Sequence, residues 1–490
     1  MINEDYISTI EIKQKAIKSV KWTVFTEIAS LSAVPIITLI LAHFLTPADF
    51  GIIGIATIVI NLVRTLQDFG FGKTLIQREK DIDESANTAF WSNLILSLFF
   101  YLVIFITAPL FSKFFYEPEV INVLRVLCLQ IILFSFSTIH QALLQRNFKF
   151  KHLFFIRLFS ALVTVFTSIP LAMFGYGVWA LVFGALAGNI VQFLLFWRTS
   201  LFHPKLSYDF QIAKQLYGFG GWATLEALLL WLIICGDSII VGRFLGVKVL
   251  GIYRTGVIFV TFIFGIFFNP LIFVAYSAFS RLQTKSKELK GLFLKIVHLI
   301  AVIFLPIGAG LFILARPISS VIFGEKWQGI NLVIALIGVE EAIALLTGVN
   351  AEAYRAIGRP DITSKLLIAA IIYYIPVYIF AAPHGLLIFC LARLILIIIS
   401  TGLEIFVANR MLDLSFTYFG NSIKYPLMGS LIMAIILFFI LNFTGTFIGF
   451  EGWLKILGAI AIGGITYALA LWLIEKELIR QFFRLIKVGI

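Results

Sequence analysis

Fourteen runs of about 20 apolar residues leave this chain few ways to fold. They lie near 22–44, 50–67, 88–111, 120–144, 153–174, 177–197, 216–237, 249–279, 292–314, 330–350, 363–382, 385–408, 424–442 and 453–474. A helix of that length crosses the hydrocarbon core of a bilayer. Lipid offers the backbone no hydrogen bonds, so only helices or closed barrels can span it. Barrel strands would be shorter and would alternate polar with apolar residues. The expected fold is an all-α polytopic membrane protein of about 14 transmembrane helices. Only 13% of its 490 residues are charged, far fewer than a soluble chain of several domains would carry.

The net charge of +12 does not point to nucleic acid, because the cations sit in the short connections between spans. With the N-terminus in the cytoplasm, 24 of the 38 Lys and Arg fall in inside segments, 5 in outside loops and 9 within the span limits given above. That bias predicts both termini inside and an even number of spans. Residues 1–21 are polar and charged, so no cleavable signal is expected. Cys128, Cys235 and Cys390 all lie in apolar runs and none forms a CxxC pair, which argues against a metal site or a disulfide. Most tryptophans, such as Trp91, Trp197, Trp327, Trp453 and Trp472, fall near span ends, as an interfacial belt would place them. Outside loops are short, and HExxH, GxSxG and Walker A motifs are absent from the sequence. No enzymatic activity is expected, and a repeat-unit polymerase is therefore disfavoured.

The chain repeats itself. His43-Phe44-Leu45-Thr46-Pro47-Ala48-Asp49-Phe50-Gly51-Ile52 joins the first two spans. Its flanks return 200 residues later in Arg243-Phe244-Leu245-Gly246-Val247-Lys248-Val249-Leu250-Gly251-Ile252. Pro109, Ser112, Phe115, Glu117 and Leu124 return as Pro317, Ser320, Phe323, Glu325 and Leu332, around the matching outside loop. Six spans separate the copies, so they share one orientation. The expected organisation is a cytoplasmic segment 1–21, an N-lobe 22–205, a C-lobe 206–412, and a C-terminal helix pair with a basic tail, 413–490. The two six-helix lobes are parallel repeats.

These residues resemble the multidrug/oligosaccharidyl-lipid/polysaccharide exporter superfamily. Within it, Phe44-Leu45-Thr46-Pro47-Ala48-Asp49-Phe50-Gly51 and Asp68-Phe69-Gly70-Phe71-Gly72-Lys73-Thr74-Leu75-Ile76-Gln77-Arg78 are similar to polysaccharide repeat-unit flippases, with the colanic and teichuronic acid exporters as the nearest group. The resemblance implies two lobes around a central cavity in a bacterial plasma membrane. It implies a substrate of undecaprenyl-diphosphate-linked oligosaccharide, moved to the outer leaflet by alternating access for extracellular polysaccharide biosynthesis. It also implies contact with membrane lipids and with polysaccharide polymerase and export machinery. No cofactor is expected beyond a coupling proton or sodium ion. A drug/cation antiporter and a lipid II flippase on the same fold remain the alternatives.

Charges at bilayer depth cost at least about 2.5–3.5 kcal/mol each on insertion scales, so each one asks for a reason. Arg64, Arg125, Arg157 and Arg254 lie near span ends, where snorkelling to the headgroups is the plain reading. In relatives the helices carrying Arg64, Arg125 and Arg254 line the cavity. The resemblance therefore makes these three candidates for the substrate diphosphate, since Arg chelates phosphate bidentately. Glu226, Glu340, Glu341 and Arg393 lie near the midplane, and Asp237 sits nearer the outside. They are read either as a structural Arg393–glutamate pair or as an ion-coupling site of the second lobe. Asp49 and Lys248, at the tips of the repeated turn, are candidates for an outer gate.

Overall fold

The computed structural model describes residues 34–67, 75, 81–283, 285–444 and 449–475, and among them every regular element is helical. Residues 34–42 are the helical end of the first expected span. The first unit continues with α1 (Pro47–Gln67), α2 (Ile82–Phe115), α3 (Val120–Leu127), α4 (Leu129–Arg146), α5 (Phe150–Met173), α6 (Val178–Thr199) and α7 (Phe210–Leu245). There follow α8 (Val247–Arg281), α9 (Ser286–Ile318), α10 (Ile330–Ala344), α11 (Asn350–Ala356), α12 (Asp361–Ala381), α13 (Leu386–Met411), α14 (Phe416–Thr444) and α15 (Gly449–Ile474). Among the described residues, 13 helices are long and apolar enough to cross a membrane. They match all the expected spans but the first, which falls largely outside the described residues.

Several ends move outward. The third span was expected over 88–111, yet α2 covers Ile82–Phe115. Its polar first turns are buried: Ser85, Asn87, Thr88 and Ser92 all lie inside. They hold the 200–209 connection, with Lys205 N donating to Asn87 Oδ1 (2.8 Å), Trp91 Nε1 to the Lys205 carbonyl (2.7 Å) and Asp209 N to Thr88 Oγ1 (3.2 Å). Asp209 in turn caps α7 by accepting from the Gln211 and Ile212 amides. Backbone groups that lipid cannot satisfy are satisfied here by side chains.

Packing divides the chain into two compact units, Met1–Gly251 and Ile252–Ile490. This groups α7 with the first six spans, whereas the sequence repeat assigns it to the second lobe. The first unit has an aromatic cluster in which Phe90 meets Trp91, Phe136, Trp197 and Phe202, with His140 beside Trp197. In the second unit the C-terminal pair is fastened to α9. Tyr467 Oη donates to the Val302 carbonyl (2.9 Å) from α15, and His298 Nδ1 lies 2.7 Å from the Ser422 carbonyl of α14. The rings of Trp453 and Trp472 are exposed, whereas that of Trp327 is not. That ring is fully buried against Phe323, because the chain between α9 and α10 folds back as short helical turns. Cys128, Cys235 and Cys390 are all buried.

The repeated turn is built in two ways. In the first copy, Thr46 and Asp49 form a capping box. Asp49 Oδ2 accepts from the Thr46 amide (2.8 Å) and hydroxyl (2.6 Å), while Thr46 Oγ1 accepts from the Asp49 amide (3.3 Å). Pro47 follows at the first helical position, where its missing N–H is harmless. In the second copy the whole connection shrinks to Gly246, at φ 83°, a conformation that glycine adopts readily. The two copies then pack on each other reciprocally. A Cβ on Gly51 would lie 2.0 Å from the Val247 carbonyl oxygen, and one on Gly251 would lie 1.7 Å from that of Pro47. Only hydrogen fits at either position.

Gly51→Ala or Gly251→Ala must therefore push two backbones apart, at a cost of about 1–3 kcal/mol. We expect each substitution to lower the thermal midpoint of the detergent-solubilised protein. Two unchanged midpoints would show that the contact is not tight.

Candidate functional site

The most completely built intramembrane site lies in the second unit. Arg393 on α13 meets Glu340 on α10 in a fork, with Nε 3.0 Å from Oε2 and Nη2 2.6 Å from Oε1. Arg393 Nη1 donates to the Tyr253 hydroxyl of α8. The rings of Tyr253 and Tyr378 stand 5.7 and 6.0 Å from the guanidinium, and Phe389 packs against both rings. The Arg393 and Glu340 side chains are only 13% and 9% exposed. A planar guanidinium suits this place because its donors match a carboxylate while its faces rest on aromatic rings. The fork ties three helices together at bilayer depth.

The other acids stand apart. Glu341 follows Glu340 on α10, about 100° further round the helix, and is half-buried. Asp237, on α7, is buried, and its carboxylate accepts from the Ser238 amide. Glu226 falls among residues whose side chains lie outside the described structure. Sequence reasoning passed over Glu404, three turns beyond Arg393 on α13, where it shares a hydrogen bond with Thr347. Its signal was present, since it is an acid inside an apolar run. Among the described residues, no group of three His, Cys, Asp or Glu side chains is placed to hold a metal.

The arginines expected to meet a diphosphate have partners of their own. Arg64, in the last turn of α1, donates from Nη2 to Gln130 Oε1 (3.1 Å) and lies 4.8 Å over the Phe134 ring. Gln130 also accepts from Asn189 of α6 (3.3 Å), so Arg64 joins α1, α4 and α6. Neither amide was singled out from the sequence, because nothing local marks a Gln as the partner of an Arg 66 residues away. Arg125 has a different task. Pro109 lacks the N–H that would bond the Phe105 carbonyl four residues back. Arg125 Nε takes that place, donating to the Phe105 carbonyl at 3.2 Å with its guanidinium 4.5 Å from the Phe105 ring. Arg254 lies on α8 next to Tyr253 and is half-buried. The structure thus joins Arg64 and Arg125 to separate partners within the first unit and does not gather them at one point. Asp49 caps α1 as described, and Lys248 is exposed in the first turn of α8. Nearby, burial and the charges of Asp49 and Glu117 hold the Glu119 carboxyl above its ordinary range.

Removing one member of the Arg393–Glu340 fork strands a buried charge, at about 3–5 kcal/mol. Arg393→Gln and Glu340→Gln should each lower folded yield and thermal midpoint. The double variant Arg393→Met/Glu340→Leu, which leaves no charge, should recover most of the loss. A double variant as unstable as the singles would refute this account.

Comparison with known proteins follows the same lines. Residues 40–331, more than half of the chain, match the family described as polysaccharide biosynthesis protein. The lipopolysaccharide biosynthesis protein WzxC of Escherichia coli (strain K12) is 23% identical over 402 residues, covering 81% of this chain and 82% of that protein. The teichuronic acid biosynthesis protein TuaB of Bacillus subtilis (strain 168) is 25% identical over 299 residues, 60% of this chain and 62% of its own length. In fold, the chain is similar to the lipid II flippase MurJ in an inward closed conformation, with a TM-score of 0.73 at 17% identity, covering 94% of this chain and all of that one. The chain is a multi-pass membrane protein that belongs to the polysaccharide biosynthesis protein family.

Proposed function

We propose that this protein is a flippase that carries undecaprenyl-diphosphate-linked oligosaccharide repeat units from the cytoplasmic to the outer leaflet by alternating access. The observation that carries the reading is the family match over residues 40–331, joined to relatives named for polymer biosynthesis. The MurJ-like fold supports a transporter architecture and does not bear on which lipid is moved. The distribution of Lys and Arg supports cytoplasmic termini.

Coupling to a proton or sodium gradient is part of the proposal. Glu340 is engaged by Arg393, so Asp237 and Glu341 are the described acids best placed to exchange an ion. Arg254, half-buried on α8, is a candidate for the substrate diphosphate together with Arg64 and Arg125. The repeated turn supplies the outer gate, because the first turns of α1 and α8 meet at Gly51 and Gly251.

Reconstitution in liposomes with fluorescent undecaprenyl-diphosphate oligosaccharides tests the reading. Labelled lipid should become accessible in the opposite leaflet, faster under an imposed gradient, and Asp237→Asn or Glu341→Gln should remove the acceleration. Restored drug efflux with no movement of lipid-linked sugar would instead assign the chain to drug/cation antiport. Cysteines introduced at Asp49 and Lys248 and joined by a bis-maleimide should block transport. Full transport by the cross-linked protein would remove the gate.

A further inference from the structure

An apolar groove in the first unit has no part in the sites above. It encloses about 340 Å³ between α1, α2 and α7, with walls that include Ile58, Leu62, Leu110, Phe114, Trp231 and Ile239. The volume falls at the low end of the range typical of small-molecule pockets. Every lining side chain is apolar at its surface. The indole N–H of Trp231 is turned away to the Ile58 carbonyl (3.2 Å), so the groove meets only its ring. Water needs two to four polar partners, and this lining offers it none. Leu110 and Phe114 are themselves 63% and 43% exposed, so one wall opens sideways out of the helix packing.

The groove has a direction. Trp231 and Ile239 are eight residues apart, about 12 Å along the axis of α7. Arg243 lies one turn beyond Ile239 on the same face, in the last turn of the helix. Its guanidinium stands 5.4 Å from the Phe114 ring and 4.2 Å from the Tyr116 ring. Stacked in this way, it keeps donors at its edge for an anion. Lys113, exposed in the last turn of α2, adds a second cation. Along the chain, Glu117 lies four residues from Lys113 and Asp237 six residues from Arg243. The arrangement is a cation at the depth of a span end, with a slot about 12 Å long running inward from it toward the middle of the span.

We propose that this groove seats one acyl chain of an anionic bilayer lipid, with Arg243 holding the headgroup phosphate. Charge complementarity selects the anionic head, and the length and lining select a single hydrocarbon chain. A diphosphate-linked sugar would find no polar wall here, and a long polyprenyl chain would fill the groove with only a short stretch of its length. The site stands on packing within the first unit and is independent of which substrate the protein moves.

Photolabelling the full-length protein in phosphatidylcholine vesicles tests it, with phosphatidylglycerol carrying a diazirine on its acyl chain as the probe. Labels should fall on the segments around Leu110–Phe114 and Trp231–Ile239. Labelling should exceed that by the matching phosphatidylcholine probe by about fivefold, the effect of one basic residue near an anionic headgroup. Arg243→Gln should bring the two probes level, Arg243→Lys should restore part of the preference, and Leu62→Trp should block both. Equal labelling by the two probes in the unmodified protein would overturn the proposal. So would labels elsewhere, or displacement of the probe by equimolar undecaprenyl diphosphate, which would give the groove to the substrate tail.

Discussion

A polar group inside a bilayer has no water to fall back on, and that constraint shapes this protein at every scale. It makes the spans helical, because a helix satisfies its own backbone. It also governs the exceptions. Pro109 in α2 frees the Phe105 carbonyl, and Arg125 from α3 repairs the gap with a donated hydrogen bond. Arg393 reaches bilayer depth only with Glu340 and the Tyr253 hydroxyl in place. Arg64 is held by Gln130, which Asn189 holds in turn. In each case a charge that looks functional in isolation is a fastening between helices.

The reciprocal contact of the two turns shows how duplicated sequence is used. Gly51 meets Val247 and Gly251 meets Pro47, so each copy contributes the same pair of positions to the other. That exchange is the signature of a twofold relation, here between two halves of one turn motif rather than two chains. The copies reach the same helix start by different chemistry. One uses a capping box of Thr46 and Asp49, and the other uses the left-handed freedom of Gly246. Selection on backbone position explains why Phe, Leu, Gly and Ile persist in both copies while the tips diverge.

The spans were legible because an apolar run of about 20 residues has one stable answer in lipid. Their ends were not, because helices continue past the hydrocarbon wherever protein can satisfy them. The buried Asn87 and Thr88 extend α2 beyond its apolar run, and Asp209 starts α7 before its apolar run begins. Trp327 lay where an interfacial ring was expected, yet it is core. A span-end position fixes depth but not whether the chain folds over it. The presence of buried charges was equally legible, but their partners were not. Which face of α13 carries Arg393 toward α10 depends on helix rotation, and apolar runs with weak periodicity on every side do not encode it. Arg125 illustrates the limit: its partner is a backbone oxygen, exposed by a proline 16 residues away in sequence.

The fastenings also divide the protein into parts that hold and parts that can yield. Separating Glu340 from Arg393 would strand two charges away from water, at about 3–5 kcal/mol, so α8, α10 and α13 behave as one body at that level. The Gly51–Val247 and Gly251–Pro47 contacts have no such bond across them. They are van der Waals contacts between backbones, and contacts of that kind can open without leaving a buried polar group unsatisfied. Alternating access, as proposed above, would need an opening that costs little and a frame that does not distort when it opens. The chemistry of the two sites differs in that sense: charge and hydrogen bonds are spent on the frame, and glycine on the turn.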